Sequence, residues 1–450
     1  MTEKKDICVG LVSLGCSKNQ VDSESMLGDI ASAGYTLVSD PAQAHIIIVN
    51  TCGFIASAQQ ESVDTILEMA GYKDTGRCIG IIVTGCMAQI FQQQLLDEMP
   101  EVDAVLGTGS YEHILDAIDA VAAKHQHYAS FEDIDLNVMH GGSRVLTTPD
   151  YTAFLKIAEG CDNRCAYCAI PNIRGKFRSR TIEDIMEEAE GLAARGVKEL
   201  IVIAQDITRY GQDIYGTYSL DRLLTELCKL DFTWIRLHYC YPDKMTEFLI
   251  DVIAKEDKIV KYLDLPVQHS STPILKAMRR RGDGQQLREL LHILRERIPG
   301  ICIRTSLIVG FPGETEEDFE DLCQFVKEVR FDRLGVFTYS RMEDTPAYDM
   351  PNQIDEDVKR QRQEIIMNLQ EQISGEINRA TVGQTLTVLV EGEEEGRYVG
   401  RSYKDSVDID PKVLFDSRRG LEPGDMVQVK ITGCDDYDLY GEQVEEEAKA

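Results

Sequence analysis

Cys161, Cys165 and Cys168 form a C-x3-C-x2-C triplet in the run Glu159-Gly-Cys-Asp-Asn-Arg-Cys-Ala-Tyr-Cys168. Three thiolates this close suit an iron–sulfur cluster. Three protein sulfurs leave one iron of a four-iron cluster open to a substrate or cofactor, which a four-cysteine set does not. The competing reading is a zinc knot or scattered core cysteines. Zinc sites usually pair one C-x2–4-C with a second, and no second pair lies nearby.

Cys16, Cys52 and Cys86 make a second set, spaced 36 and 34 residues apart. Each follows a strand-like apolar run (residues 7–14, 46–50 and 79–84) and precedes a helix-like stretch (22–33, 57–70 and 88–99). That spacing is about one strand–helix unit. In a parallel sheet the strand C-termini share one edge, so the three cysteines are expected to converge there as a second metal site. Gly15, Gly53 and Gly85 neighbour them, and glycine permits close backbone approach to a bulky group. The pair Gly107 and Gly109 lacks the rest of a phosphate-loop pattern and reads as a strand-to-helix turn.

Three bodies must position these residues. At 450 residues the chain is long enough for about three domains. The expected division is 1–123 for an α/β domain with a parallel sheet, 124–149 for a linker carrying Gly141, Gly142 and Pro149, 150–378 for the second unit and 381–446 for the last. From residue 152 the chain alternates six times between strand-like runs (152–158, 199–204, 233–239, 260–265, 301–309, 334–339) and helix-like ones (182–195, 220–229, 244–255, 273–297, 316–329, 355–377). Thr181 is an expected N-cap and Gly196 a helix stop. Six units predict an open, partial (β/α)6 barrel with its site at the strand C-terminal face, where Cys161 lies. Residues 381–443 alternate with period two and carry Gly and Pro turns, as a small antiparallel OB-like β-barrel would. The tail 445–450 reads as a frayed end.

Hydrophobic residues are 43% of the chain, enough for real cores. No apolar run approaches the roughly 18–20 residues that span a bilayer. The start of the chain shows no signal-peptide pattern, so a cytoplasmic protein with no membrane partner is expected. In a reducing compartment grouped cysteines read as metal ligands. The isolated Cys8, Cys78, Cys228, Cys240, Cys302, Cys323 and Cys434 read as core residues. The net charge is −30, from 47 basic and 77 acidic residues. Such a surface repels phosphate backbones and favours a basic partner. Residues 381–450 carry 17 acidic and 8 basic side chains, a net −9. An RNA-gripping barrel should be basic. An acidic one suits a lysine- and arginine-rich protein.

Over nearly its full length the chain resembles a radical S-adenosylmethionine (SAM) methylthiotransferase. The residues that carry the resemblance are Leu14-Gly-Cys-Ser-Lys-Asn-Gln-Val-Asp-Ser-Glu24, Asn50-Thr-Cys-Gly-Phe-Ile55, Thr84-Gly-Cys-Met87 and the triplet region through Arg180. Ser17-Lys18-Asn19, Gly53-Phe54-Ile55 and Phe331-Asp-Arg-Leu-Gly-Val-Phe337 resemble the branch that modifies an aspartate of small-subunit ribosomal protein twelve. The tRNA-modifying branch usually shows Gln-Met-Asn after the first cysteine.

The resemblance implies that Cys161, Cys165 and Cys168 hold a SAM-binding 4Fe–4S cluster. It implies that Cys16, Cys52 and Cys86 hold an auxiliary one, and that the last domain is a TRAM domain. It also implies a low-potential electron donor and a ribosomal-protein substrate, free or on the ribosome, with tRNA the less favoured partner. Tyr167 is expected to pack on the SAM adenine or in the core. Gln205, Asp206, Gln268, His269, Ser270 and the loop from Gly310 to Gly313 are expected SAM or substrate contacts by their place at strand ends. Arg304 is expected to pair with the SAM carboxylate or with a structural acid. Arg279, Arg280 and Arg281 read as a solvated face. The rival readings are a tRNA methylthiotransferase, an electron carrier using both clusters, and a zinc-stabilised adaptor.

Overall fold

The computed structural model describes residues 4–123, 127–136 and 144–444. Gly141, Gly142 and the tail 445–450 lie outside the described residues, as do the outer ends of the first and last expected domains. The N-terminal sheet contains β1 (Cys8–Ser13), β2 (Thr36–Leu37), β3 (Ile46–Thr51), β4 (Gly80–Gly85), β5 (Ala104–Leu106) and β6 (Tyr128–Ser130). Its order is β2-β1-β3-β4-β5-β6, with every pairing parallel. The runs Ile-Ile-Ile-Val-Asn-Thr and Gly-Ile-Ile-Val-Thr-Gly of β3 and β4 are wholly buried. Such continuous β-branched runs belong to central strands covered on both faces.

Two expectations need correction here. Residues 124–149 are not only a linker, because Tyr128–Ser130 adds an edge strand to the sheet. Three residues were too few to register as a period. The expected helix 88–99 is two short helices, Cys86–Phe91 and Gln93–Glu98, broken where Gln92 takes φ +44°.

The second sheet contains β7 (Thr152–Lys156), β10 (Glu199–Ile203), β11 (Trp234–Leu237), β12 (Ile259–Asp264), β13 (Cys302–Val309) and β14 (Arg333–Thr338). Its order is β14-β13-β12-β11-β10-β7, all parallel and open between β14 and β7. Thr181 caps the helix Ile182–Ala194 by accepting from the Asp184 amide, and Gly196 follows it at φ +88°. The expected helix 273–297 is two helices, Thr272–Ala277 and Gly284–Arg297. Arg279 at φ +57° stops the first, and the Asp283 side chain caps the second. Between β7 and the helix Ile182–Ala194, the short antiparallel pair β8 (Ala158–Glu159) and β9 (Arg178–Ser179) clasps both ends of the cysteine-triplet loop.

The 26-residue helix Glu356–Thr381 leads into a closed barrel of β15 (Thr385–Glu394), β16 (Arg397–Ser402), β17 (Val413–Asp416), β18 (Met426–Cys434) and β19 (Leu439–Gln443). The strand order is β15-β16-β17-β19-β18. The fold is the small barrel expected, with one departure: β17 and β19 pair in parallel. Leu386, Val388, Val390, Val413, Phe415, Val429 and Ile431 fill it.

This barrel is seated on the central sheet. Leu389 and Met426 pack with Trp234, Tyr262 and Cys302. Glu199 lies between Arg236 and Arg401, and Arg333 pairs with Asp405, all of them buried. The seven isolated cysteines are free thiols, three of them buried and four half-buried. Among the described residues no helix is long and apolar enough to cross a membrane.

Candidate cluster-binding site

Cys16 lies three residues beyond β1, while Cys52 and Cys86 directly follow β3 and β4. The shared sheet edge therefore brings all three to one place, at offsets that differ by two residues. Asn19 fixes two of the loops: its side-chain amide donates to the Leu14 and Thr51 carbonyls, at 2.8 and 3.0 Å. Ser62 holds the Cys52 backbone on both sides. The glycines serve the loops themselves. Gly15, at φ +86°, leaves room that a Cβ would take 2.9 Å from the Cys52 sulfur, and Gly53 and Gly85 lie against Met87 and Asn50.

Burial raises the Cys52 and Cys86 thiols, Cys86 to about 11. Cys16 is the exposed member of this trio. Desolvation pushes its thiol up, but the Lys18 and Arg174 cations and the Asn19 and Lys18 amides outweigh it, and the net direction is down.

Beyond β7 and β8, the triplet loop is held from four sides. The Cys161 amide donates to the Gly175 carbonyl, the Ala166 amide to Met278, and the Ala347 amide to the Ala166 carbonyl. Asn163 donates to Asp206, which also faces Lys244. Burial raises Cys161 to about 11 and Cys168 further, and in each case a neighbouring triplet thiol adds to the rise. These thiols need a metal to stay ionised.

Two short segments join the trios. Arg174 reaches the Cys86 sulfur at 3.6 Å, while the next carbonyl, Gly175, accepts from the Cys161 amide. Tyr239 places its hydroxyl 3.5 Å from Ser17 Oγ, beside Cys16, and Tyr241 places its own 3.7 Å from the Cys165 sulfur. Cys86 also packs on Ala169, the neighbour of Cys168. Residues two apart lie within about 7 Å along the chain, so both trios are within side-chain reach of one junction. Arg174 also pairs with Asp22 and Glu159 and donates to Asn19, and Lys156 pairs with the same two carboxylates.

Among the described residues, no three His, Cys, Asp or Glu side chains converge on a single metal ion. The thiols of each trio are electrostatic neighbours all the same. Buried polar atoms without a partner surround them: Asn50 Oδ1, Thr84 Oγ1, Tyr111 OH and Gln205 Oε1. Native folds seldom leave such atoms unpaired. This donor set fits a polynuclear cluster better than a single ion.

The other expected contacts divide. Gln205 faces the triplet, donating to Glu159 at 2.6 Å. Tyr167 is half-buried and meets Arg280. Gln268, at φ +70°, is held by backbone bonds to Ser306 and Ile308. Ser270 turns away to Asp321, and His269 is buried with its Nδ1 on the Ser271 amide. Arg304 pairs with Asp264 at 3.0 Å and with Asp410 of the C-terminal barrel at 3.4 Å, the structural alternative. Gly310 gives its close approach to the Lys359 side chain, which a Cβ would overlap, and its amide donates to Glu314.

Arg280 is no solvated residue. It is buried against the Tyr241 ring at 4.1 Å and bonds Tyr167 and the Pro266 carbonyl. Arg174, Tyr239, Tyr241 and Lys18 were not singled out from the sequence, and Arg280 was singled out only as part of a charged run. Lys18 and Arg174 stood in quoted stretches without a role of their own, and nothing local marked Tyr239 or Tyr241.

Three family models match in chain order: "Uncharacterized protein family UPF0004" over residues 8–107, "Radical SAM superfamily" over 155–326 and "TRAM domain" over 382–444. A curated relative in Desulforamulus reducens, "Ribosomal protein uS12 methylthiotransferase RimO", is 51% identical over 96% of this chain and 99% of its own. Its namesake in Clostridioides difficile is 50% identical over 96% and 98%. Among solved structures, the radical S-adenosylmethionine methyltransferase TsrM from Kitasatospora setae superimposes with a TM-score of 0.57, at 14% identity, over 86% of this chain and 79% of that one. That likeness is one of fold. On the near-complete match to the curated relatives, the chain belongs to the radical SAM methylthiotransferases, in the uS12-modifying branch called RimO.

Proposed function

We propose that the protein transfers a methylthio group to the β-carbon of an aspartate in ribosomal protein uS12. Cys161, Cys165 and Cys168 would hold a SAM-binding 4Fe–4S cluster, and Cys16, Cys52 and Cys86 an auxiliary one. When bound, these groups supply one-electron cleavage of SAM and a sulfur for transfer, chemistry no side chain offers at an unactivated carbon. The chain's own part is position and charge. The β8–β9 clasp and Asp206 hold the triplet loop, Asn19 and Ser62 hold the auxiliary loops, and Arg174 places a buried cation on Cys86. Residues 150–378 act as the partial barrel that carries the triplet and seats the small barrel of 381–446, with 1–123 supplying the second trio.

The observation that carries this reading is that both trios border one junction, through Tyr239 to Tyr241 and through Arg174 to Gly175. A carbon that loses hydrogen at one centre and gains sulfur at the other must be within reach of both. The charge of −30 favours the basic ribosomal protein over tRNA. The test offers uS12 and tRNA side by side to the anaerobically reconstituted, reduced chain, with mass spectrometry of both. Methylthio mass on the uS12 aspartate is expected. Modification of tRNA alone overturns the reading.

A further inference from the structure

Twelve lysines and arginines are buried among the described residues. Ten of them have a carboxylate within ion-pair distance. The two that do not are Lys18 and Arg280, and each stands beside a cysteine trio. Arg280 is saturated by Tyr241, Tyr167 and the Pro266 carbonyl. Lys18 is not. Its ammonium rests over the Tyr239 ring, 3.2 Å from the centroid, and no described carboxylate lies within 4.0 Å of it. Besides Tyr239 and Cys16, whose fields it feels first, the one carboxylate acting on it is Asp264, and Asp264 is already occupied by Arg304 at 3.0 Å and by the Tyr239 amide at 3.3 Å.

A buried cation without a carboxylate to pair with is costly, and folds seldom keep one unless something arrives to pair with it. Tyr239 is itself held at φ +64°, a conformation a bulky residue adopts only when its surroundings impose it. The residue is fixed where its ring supports the Lys18 ammonium and its hydroxyl nears Ser17. Lys18 is two residues from Cys16, on the helix Ser17–Ser32, at the junction between the two trios.

We infer that Lys18 is the specificity-determining residue that pairs with the side-chain carboxylate of the amino acid to be modified. The inference rests on the aspartate reading above and deepens it. A substrate carboxylate entering the junction meets a desolvated cation held by an aromatic face. An asparagine of the same shape brings no charge and leaves Lys18 unpaired, the discrimination that polar sites make best. The competing role for Lys18 is counter-ion to the Cys16 thiolate.

The test uses the full chain with reconstituted clusters and a uS12-derived peptide centred on the aspartate that wild type modifies, with its asparagine analogue. Binding is read by calorimetry, and KM and kcat separately. Wild type is expected to bind the aspartate peptide at least about tenfold tighter than the analogue. Lys18→Met should abolish that preference with iron content unchanged, and Lys18→Arg should keep part of it. If Lys18→Met fails to fold, Lys18→Gln is read in the same way. A neutral variant that keeps the full preference overturns the inference. So does one that loses iron or shifts the visible spectrum while the preference survives, since that assigns Lys18 to Cys16. A wild type that neither binds nor modifies the peptide or whole uS12 overturns the substrate reading itself, and this inference with it.

Discussion

Replacing Glu199 by Gln strands two buried cations at once. Glu199 is fully buried on β10, with Arg236 on one side at 2.8 Å and Arg401 of the C-terminal barrel on the other at 2.6 Å. Burial alone would raise its carboxyl, but Arg401 and Arg236 outweigh it and hold it at about 2 instead of 4.5. That difference corresponds to about 3 kcal/mol in favour of the ionised, paired form. Removing one partner of a buried ion pair costs about 3–5 kcal/mol by a separate line of reasoning. Both figures place Glu199→Gln at about 3–5 kcal/mol.

The reporter is built in. Trp234 is the only tryptophan of the chain, and it packs with Leu389, Met426 and Tyr403 in this interface. Urea unfolding followed by its fluorescence should show the C-terminal barrel leaving its seat at lower urea in the variant. The folded-state pKa is depressed, so the contribution is fully present above about pH 4.5 and is lost as pH falls toward about 2. The gap between wild type and Glu199→Gln should therefore narrow in that window, because a protonated Glu resembles Gln. Combining Glu199→Met, Arg236→Met and Arg401→Leu in one chain should recover most of the loss, since apolar groups replace a buried ion cluster well. A Glu199→Gln midpoint within about 0.5 kcal/mol of wild type would refute the claim that this cluster seats the barrel.

Cys86→Ala should remove roughly half the bound iron, as a chain with two four-iron sites loses one, and should leave SAM cleavage while ending sulfur transfer. Iron analysis and 5′-deoxyadenosine assay check it, and loss of cleavage in a folded, half-loaded variant would contradict the division of labour. Arg304→Met should weaken seating of the C-terminal barrel through the lost Asp410 pair without changing SAM affinity; a SAM-affinity loss of tenfold or more would return Arg304 to the cofactor. Gly310→Ala should destabilise the fold by about 1–3 kcal/mol, from a left-handed φ and a Cβ driven into Lys359. Thermal unfolding checks it, and a neutral result would show that the Lys359 stem gives way.

The chain's chemistry was legible in its sequence because cysteine spacing and strand–helix alternation are local. Three sulfurs within eight residues need no folding to be neighbours, and Cys16, Cys52 and Cys86 recur with the βα unit that carries them. The parallel sheets, the capped helix after Thr181, the small C-terminal barrel and the acidic surface follow from period and composition in the same way. The tertiary structure decided which side chains share a space. Arg304 and Gly310 stand at positions that barrel logic assigns to a ligand, yet Asp410 and Lys359 fill those spaces from segments 106 and 49 residues away. Arg280 read as a solvated charge until Tyr241 and Tyr167 closed over it. The junction itself joins residues 16–19, 174–175 and 239–241, whose contacts span up to 222 residues of chain. No periodicity records such a contact, because it is set by how two sheets and a barrel pack and not by any residue's neighbours in sequence.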